Sequence, residues 1–339
     1  MMHPCSQFAM GLVSNESTVL RKVATEGIKL LEDSMQNQQN GLLFSAAEDG
    51  CGGVYIVRGA DGSCVSVFKP VDEEVRVHHR SLEKYILEPC LSEEMHHITA
   101  TGAAREVVAF YLDRIDGGFS GVPVTVMCTV TNQFGQKKWG SLQSYVNHDD
   151  SAENFASSMM VSDEVHEVGV LDIRLVNWDR HFANILCRKD KKGLALTPID
   201  HGNILPSCFH LNEARFEWMH WKHARDPFSN KTLQHIASLN PERDANLLRA
   251  LDLEEESVIS MVFATQILQV GAAASLSLWD IGNIIQRSTY NPEHESILER
   301  SIHTVLGRST TTEAILHHSS LIANNAVSQA LKGKHLRTT

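Results

Sequence analysis

Three polar side chains interrupt apolar runs in VLDIRLVNWDRHFANILCRKDKKGLALTPIDHGNILP, residues 170–206: Asp179, Asn184 and Asp200. Asp179 precedes Asn184 by five positions, and Asp200 follows across a β-hairpin with Gly202 two residues later. Two carboxylates and an amide that converge can hold a divalent cation through oxygen and accept the proton of a hydroxyl nucleophile. Arg180 and His181 stand beside the first carboxylate, where a cation would offset charge building on a transferred phosphoryl group. The bland alternative is a surface loop with capping aspartates. It is disfavoured because both acids border apolar strands and the spacings agree together. The chemistry that fits is phosphoryl transfer from magnesium-bound ATP, with Asn184 and Asp200 as metal ligands.

A nucleotide also needs a phosphate cradle and a cation. In EDGCGGVYIV, Gly50, Gly52 and Gly53 lie between two expected strands, where a hairpin can present backbone N–H groups to phosphates. In SVFKP, Lys69 ends an apolar strand one hairpin later and can pair the α- and β-phosphates. Glu106, on the helix expected over 102–115, is placed in order and type to hold that lysine. Each feature alone is weak, since glycines usually just turn a hairpin and lysine usually ends a strand in solvent. The order glycine hairpin, strand lysine, helix glutamate is far more specific. The five-residue step from Asp179 to Asn184 is likewise that of a kinase catalytic loop, H-R-D-x-x-x-x-N.

The elements that must position these residues are legible in outline. Residues 17–36 space apolar side chains as one helical face. GLLFSA, GVYIVRG and SCVSVFKP, separated by glycine turns, read as consecutive antiparallel strands. Residues 72–98 are charged and weakly periodic, and are expected to be loop with some helix. A helix follows at 102–115, then strands in VPVTVMCTVT and KKWGSLQSYV. Beyond 163 the pattern is helical apart from short strands in ANILCR and LALTPID, with helices expected over 231–240, 245–270, 278–288 and 293–306. The tail LKGKHLRTT should fray. The fold class is α+β: a strand-rich lobe with an antiparallel sheet, then a helix-rich lobe, with a ligand cleft expected where the two meet.

Composition bounds the partners. The chain has 339 residues, with 42% hydrophobic and 21% charged, an ordinary globular balance. A formal net charge of −11 argues against nucleic-acid binding and against non-specific adhesion to anionic membranes. The basic run RKDKK (188–192) is the best local exception, and a solvated turn is its simpler explanation. Seven scattered cysteines without CxxC spacing suit free thiols in a reducing compartment. No signal pattern or membrane-length apolar run is evident, so the expectation is a cytoplasmic protein, or one peripheral on the cytosolic face of a membrane.

VFKPVDEE, GAAREVVAFYLD, FSGVPVT, GSLQSYV, VLDIRLVNWDRHFANIL, LTPIDHGNILP and DPFSNKTLQHI occur in that order. Together they resemble the phosphatidylinositol 3-/4-kinase superfamily, most closely the type II and plant gamma branch of phosphatidylinositol 4-kinases, over about residues 20–290. The resemblance implies a two-lobed protein-kinase-like fold: an N-terminal extension and helix at 1–40, the N-lobe and hinge at 41–146, the C-lobe at 147–310 and a C-terminal helix and tail at 311–339. It implies Asp179, Arg180 and His181 as the catalytic loop, with Asp179 as base and Asn184 and Asp200 on Mg²⁺. Lys69 becomes the ATP lysine, with Glu106 as its partner, and Gly50–Tyr55 the glycine-rich loop. Gln143, Ser144, Tyr145 and Val146 become the hinge that meets adenine through backbone groups. Trp178 stands where relatives carry a smaller residue, and its ring is expected to pack under the loop. A palmitoylation stretch and preceding ubiquitin-like domains, found in relatives, are not expected here.

The leading function is transfer of the ATP γ-phosphate to the 4-hydroxyl of phosphatidylinositol. A Ser/Thr protein kinase of the same fold keeps the site and changes the acceptor. A nucleotide-binding scaffold without catalysis would usually have lost one of Lys69, Asp179 or Asp200, and all three are present. The acceptor site is expected in the segment after Asp200. There Trp218, Met219, Trp221 and Phe228 either dip into a bilayer, with Lys222 and Arg225 at the headgroups, or form core.

Overall fold

The computed structural model describes residues 43–46, 53–59, 61–73, 83–89, 101–132, 136–191, 193–212, 214–288, 291–306 and 311–338, with parts of 23–32. Gly50 and Gly52 lie outside the described residues. The chain divides into two compact units, one of residues 1–117 and 122–147, the other of 118–121 and 148–339.

In the first unit, β1 (Leu43–Ala46), β2 (Tyr55–Arg58), β3 (Cys64–Pro70), β4 (Glu83–Pro89), β5 (Thr125–Asn132) and β6 (Lys137–Ser144) close an antiparallel barrel in the order β1-β2-β3-β6-β5-β4. Alternation drives it: Ser66, Phe68 and Pro70 of β3 are buried, and Phe68 joins Tyr55, Val57, Val126, Cys128, Val130 and Leu142 in one apolar cluster. That pleat turns Lys69 to the opposite face from Phe68. A β-carbon on Gly140 would sit 2.3 Å from the Lys69 carbonyl oxygen and 2.7 Å from the Phe68 ring, so only glycine lets β6 approach β3 there. β4 corrects the expectation of loop and helix over 72–98. Its residues EKYILEP carry charges that blur the period of two, and what makes them a strand is pairing with β5 and β1. α1 (Gly102–Ile115) matches the expected bounds and starts on Thr101, whose hydroxyl accepts the Ala104 N–H at 3.3 Å.

The second unit holds a three-stranded sheet of β7 (Asp150–Ser151), β8 (Ile185–Lys189) and β9 (Leu194–Pro198). Its helices are α2 (Ser162–Arg174), α3 (Asn230–Ser238), α4 (Pro241–Ala250), α5 (Glu255–Ala273), α6 (Leu278–Ile285), α7 (Ile297–Leu306), α8 (Thr312–His317) and α9 (Ser319–Thr338). α5 is the axis of the core. Its Val258, Ile259, Phe263, Ala264, Ile267 and Leu268 are all fully buried. In length and composition α5 would suit a membrane span, which the sequence reading did not register, yet it is mostly enclosed by its own unit.

One expected helix over 245–270 proves to be two. After α4 the Leu253 N–H bonds back to the Leu248 carbonyl and Asp252 adopts φ 59°, a left-handed helix stop in which aspartate takes the place usual for glycine. Without that glycine the stop leaves little trace in the sequence. The expected frayed tail is instead the end of α9, where Lys334 reaches Asp280 at 2.6 Å.

Candidate active site

Each unit contributes a separate set of polar groups. In the first, the Lys69 ammonium pairs with Glu106 Oε1, uniting the expected lysine and helix acid. The Glu106 side chain is 1% exposed and that of Lys69 is 20% exposed, so the acid is enclosed while the ammonium still reaches solvent. Such a buried carboxylate needs a cation, and the lysine's position is thereby fixed from the helix. Gly53 lies just before β2. In the hinge segment the Ser144 N–H donates to Val124 O at 2.8 Å and the Tyr145 N–H to Val65 O at 3.0 Å, so neither serves a purine base. The buried Gln143 side chain donates to Thr125 Oγ1 at 3.0 Å. Burial, followed by the adjacent Cys64, pushes the Tyr145 phenol above its usual range.

In the second unit the loop from Asp179 to Asn184 is stitched to the segment around Asp200. The Ile199 N–H donates to the Asn184 carbonyl at 3.0 Å, and Arg180 Nη1 donates to the Ile199 carbonyl at 2.8 Å. Beyond Asp200, the Asn203 amide donates to Asp179 Oδ2 at 2.9 Å, and the Trp178 N–H donates to the Asn203 carbonyl at 3.1 Å. The turn carrying Asp200 is therefore tied at both ends to the loop carrying Asp179. Asp200 has φ 56°, a left-handed conformation that aspartate tolerates at a cost of about 1–2 kcal/mol and that the surrounding bonds hold.

The individual groups differ in what they are left to do. Asp179 Oδ2 is fixed by Asn203, the side chain is 43% exposed, and Oδ1 lies 4.0 Å from His181 Nε2. Asn184 spends its amide N–H on the Asp179 carbonyl at 3.1 Å, which orients its Oδ1 as an acceptor. Arg180 corrects the reading from sequence. Its side chain is fully buried, its Nε donates to both Asp172 oxygens at 3.0 Å, and Nη1 holds the Asn184 and Ile199 carbonyls. It pins the loop from beneath and does not face a phosphate.

Sequence reasoning overlooked the supporting groups. Asp172 of α2 is a buried node that also accepts from Asn177 at 3.1 Å and from the Trp218 indole at 3.0 Å. A carboxylate inside the apolar run VLDIRL was the available signal, because such a group must find partners. Glu217 accepts the Phe182 N–H at 3.0 Å and returns its own N–H to the Arg180 carbonyl, also at 3.0 Å. Downstream, the Leu205 and Pro206 carbonyls are capped by the Ser257 and Ser260 hydroxyls of α5 at 2.8 and 2.7 Å. The bilayer reading of the aromatic segment gives way to its alternative. Trp218 is 0% and Trp221 5% exposed, with Met219 buried beside them and Phe228 packed against the same core. Trp218 stacks on Phe216 and Trp221 on Phe182, while the exposed Arg225 lies 3.6 Å over the Trp279 ring.

Among the described residues no group of three His, Cys, Asp or Glu side chains could hold a metal. Asn184 and Asp200 are oxygen ligands by type, which would suit a hard cation that needs few ligands from the protein.

The chain matches the family Phosphatidylinositol 3- and 4-kinase over residues 51–281. It is 33% identical over 330 residues to phosphatidylinositol 4-kinase gamma 3 of Arabidopsis thaliana, covering 89% of this chain and 57% of the relative. It is 34% identical over 316 residues to phosphatidylinositol 4-kinase gamma 4 of Oryza sativa subsp. japonica, covering 89% and 55%. Among solved structures, the Helicobacter pylori proinflammatory kinase CtkA aligns at 13% identity with a TM-score of 0.31, covering 70% of this chain and 92% of that one; so slight a likeness adds nothing to the assignment. A strand-rich unit with a lysine–glutamate pair and a helical unit with a D-x-x-x-x-N loop define a kinase-type chain. It belongs to the phosphatidylinositol 3- and 4-kinase family. The chain spans little more than half the length of the curated relatives it matches.

Proposed function

We infer that the chain transfers the γ-phosphate of ATP to the 4-hydroxyl of phosphatidylinositol, working from the cytoplasm at a membrane surface. The observation that carries this is the double tie between the Asp179 loop and the Asp200 turn, which would keep the proposed base and metal ligands together. The names of the relatives support the acceptor. Asp179 takes the hydroxyl proton on Oδ1, with Asn203 fixing the other oxygen. Asn184 and Asp200 would hold Mg²⁺, which when bound screens the charge of the nucleotide phosphates. Lys69, held by Glu106, pairs phosphate oxygens, and His181 supplies a further polar group beside the base. Positioning and electrostatics supply the rate, since no covalent intermediate is needed.

Burial of Trp218 and Trp221 favours the core alternative for that segment and keeps a protein hydroxyl as the second acceptor reading. Purified protein with γ-labelled ATP and Mg²⁺ is offered phosphatidylinositol vesicles and a generic protein side by side. Label in the lipid alone is expected. Label in the protein alone overturns the lipid acceptor, and nucleotide binding without any label overturns catalysis.

A further inference from the structure

Residues 23, 25–27, 29, 30 and 32 are helical and lie before the stretch that matches the family, 51–281. They sort by face at helical spacing. Val23 and Gly27 are buried, Glu26 and Leu30 are half-buried beside them, and Thr25, Lys29 and Glu32 are exposed. The inner face rests on the barrel. Leu30 packs against the cluster of Phe68, Val126 and Leu142, and a β-carbon on Gly27 would sit 2.4 Å from Val126 Cγ1, so glycine lets the helix lie close on β5. An acid in such an inward stripe has to find a cation. Glu26 finds Arg114: Nε donates to Oε2 at 2.6 Å and Nη2 to Oε1 at 2.7 Å. Surface ion pairs are often worth nothing measurable. This one is two-pronged and partly enclosed, with side chains 23% and 35% exposed for the acid and the base.

Arg114 stands in the last turn of α1. Glu106, Phe110 and Arg114 are spaced four apart, so one flank of α1 carries in succession the partner of Lys69, a buried ring and the partner of Glu26. Eight residues of helix separate the two ion pairs by about 12 Å along the axis. A helix in a close-packed interior moves as a rod, so a shift of its last turn reaches the turn of Glu106. We propose that Glu26 is a positioning residue for the Lys69–Glu106 pair: by clamping the last turn of α1 to the helix seated on β5, it fixes the helix from which Glu106 sets the lysine for nucleotide phosphate. This rests on the reading of Lys69 as the nucleotide cation. Every contact it uses lies within the first unit.

The test is a double-mutant cycle on the full chain, read by Mg²⁺–ATP affinity and by deuterium uptake of the ligand-free protein. Glu26→Ala should weaken Mg²⁺–ATP binding by roughly threefold to tenfold and raise uptake across α1, with uptake of α5 unchanged. In the Glu106→Gln background the same change should cost less than about twofold, because the residue through which Glu26 acts is already lost. Lys29→Ala, on the exposed face of the same helix, should leave both readings as in the wild type. Glu26→Gln, which keeps one acceptor oxygen, should move both readings less, and it serves if Glu26→Ala fails to fold. Equal losses of affinity in both backgrounds, or wild-type affinity in Glu26→Ala, overturn the proposal, as does unchanged uptake in α1. A wild-type chain that binds no Mg²⁺–ATP overturns the nucleotide reading instead, and α1 uptake in Glu26→Ala then decides whether the clamp itself stands.

Discussion

Asp179 and Arg180 are adjacent in sequence and opposite in environment. The aspartate side chain is 43% exposed, whereas the arginine is wholly enclosed and bonded to Asp172. Adjacency along the chain cannot report this, because the partner that draws Arg180 inward lies eight residues earlier, on α2. The consequence is measurable. Arg180→Met should lower stability by about 3–5 kcal/mol, since it strands the buried Asp172 charge, and a shifted denaturant midpoint checks it. A variant of normal stability with only a lowered turnover would return Arg180 to the phosphates. Lys69→Met should behave otherwise, weakening nucleotide binding and turnover together and leaving Glu106 buried without its ion pair; a nucleotide titration beside the transfer assay separates the two variants.

At the scale of elements, β3, α1 and the loop after α2 were legible because their apolar periods are local and unambiguous. β4 was not, since its strand character comes from β5, some 40 residues away, and the stop after α4 was hidden by an aspartate doing a glycine's work. The contact of α2 with residues 222–225 also escaped notice, and it carries a pH dependence. His166 of α2 is fully buried, with Nε2 donating to the His223 carbonyl at 3.0 Å and the Phe228 ring edge-on at 5.0 Å. Burial lowers the His166 pKa, against the opposing pull of that hydrogen bond and of Asp163 and Asp226, and burial with the neighbouring Lys222 lowers that of His223. Both rings therefore take up protons less readily in the fold than when unfolded. Their contribution is intact above the unfolded histidine value of about 6.5 and is lost as pH falls below it towards the depressed folded values. Wild-type melting temperature should drop between about pH 6.5 and 5, and His166→Gln should flatten that drop even if it lowers the melting temperature at neutral pH. An equally steep acid loss in the variant would place the sensitivity elsewhere.

For the molecule as a whole, Lys69 and Glu106 lie in one compact unit and Asp179, Asn184 and Asp200 in the other, in a chain that belongs to the phosphatidylinositol 3- and 4-kinase family. The net charge of −11 gives no general attraction to anionic surfaces. What the sequence could not convey was the support beneath the site, because hydrogen bonds such as Asn203 to Asp179 and Trp218 to Asp172 join residues by folding and leave no spacing pattern. The most direct test compares wild type with Asp179→Asn in γ-phosphate transfer to phosphatidylinositol vesicles, with Mg²⁺–ATP affinity measured on the same samples. Loss of a positioned base should lower transfer by about 10²–10⁴-fold while affinity stays within about twofold. Full transfer by Asp179→Asn would contradict the account at its centre.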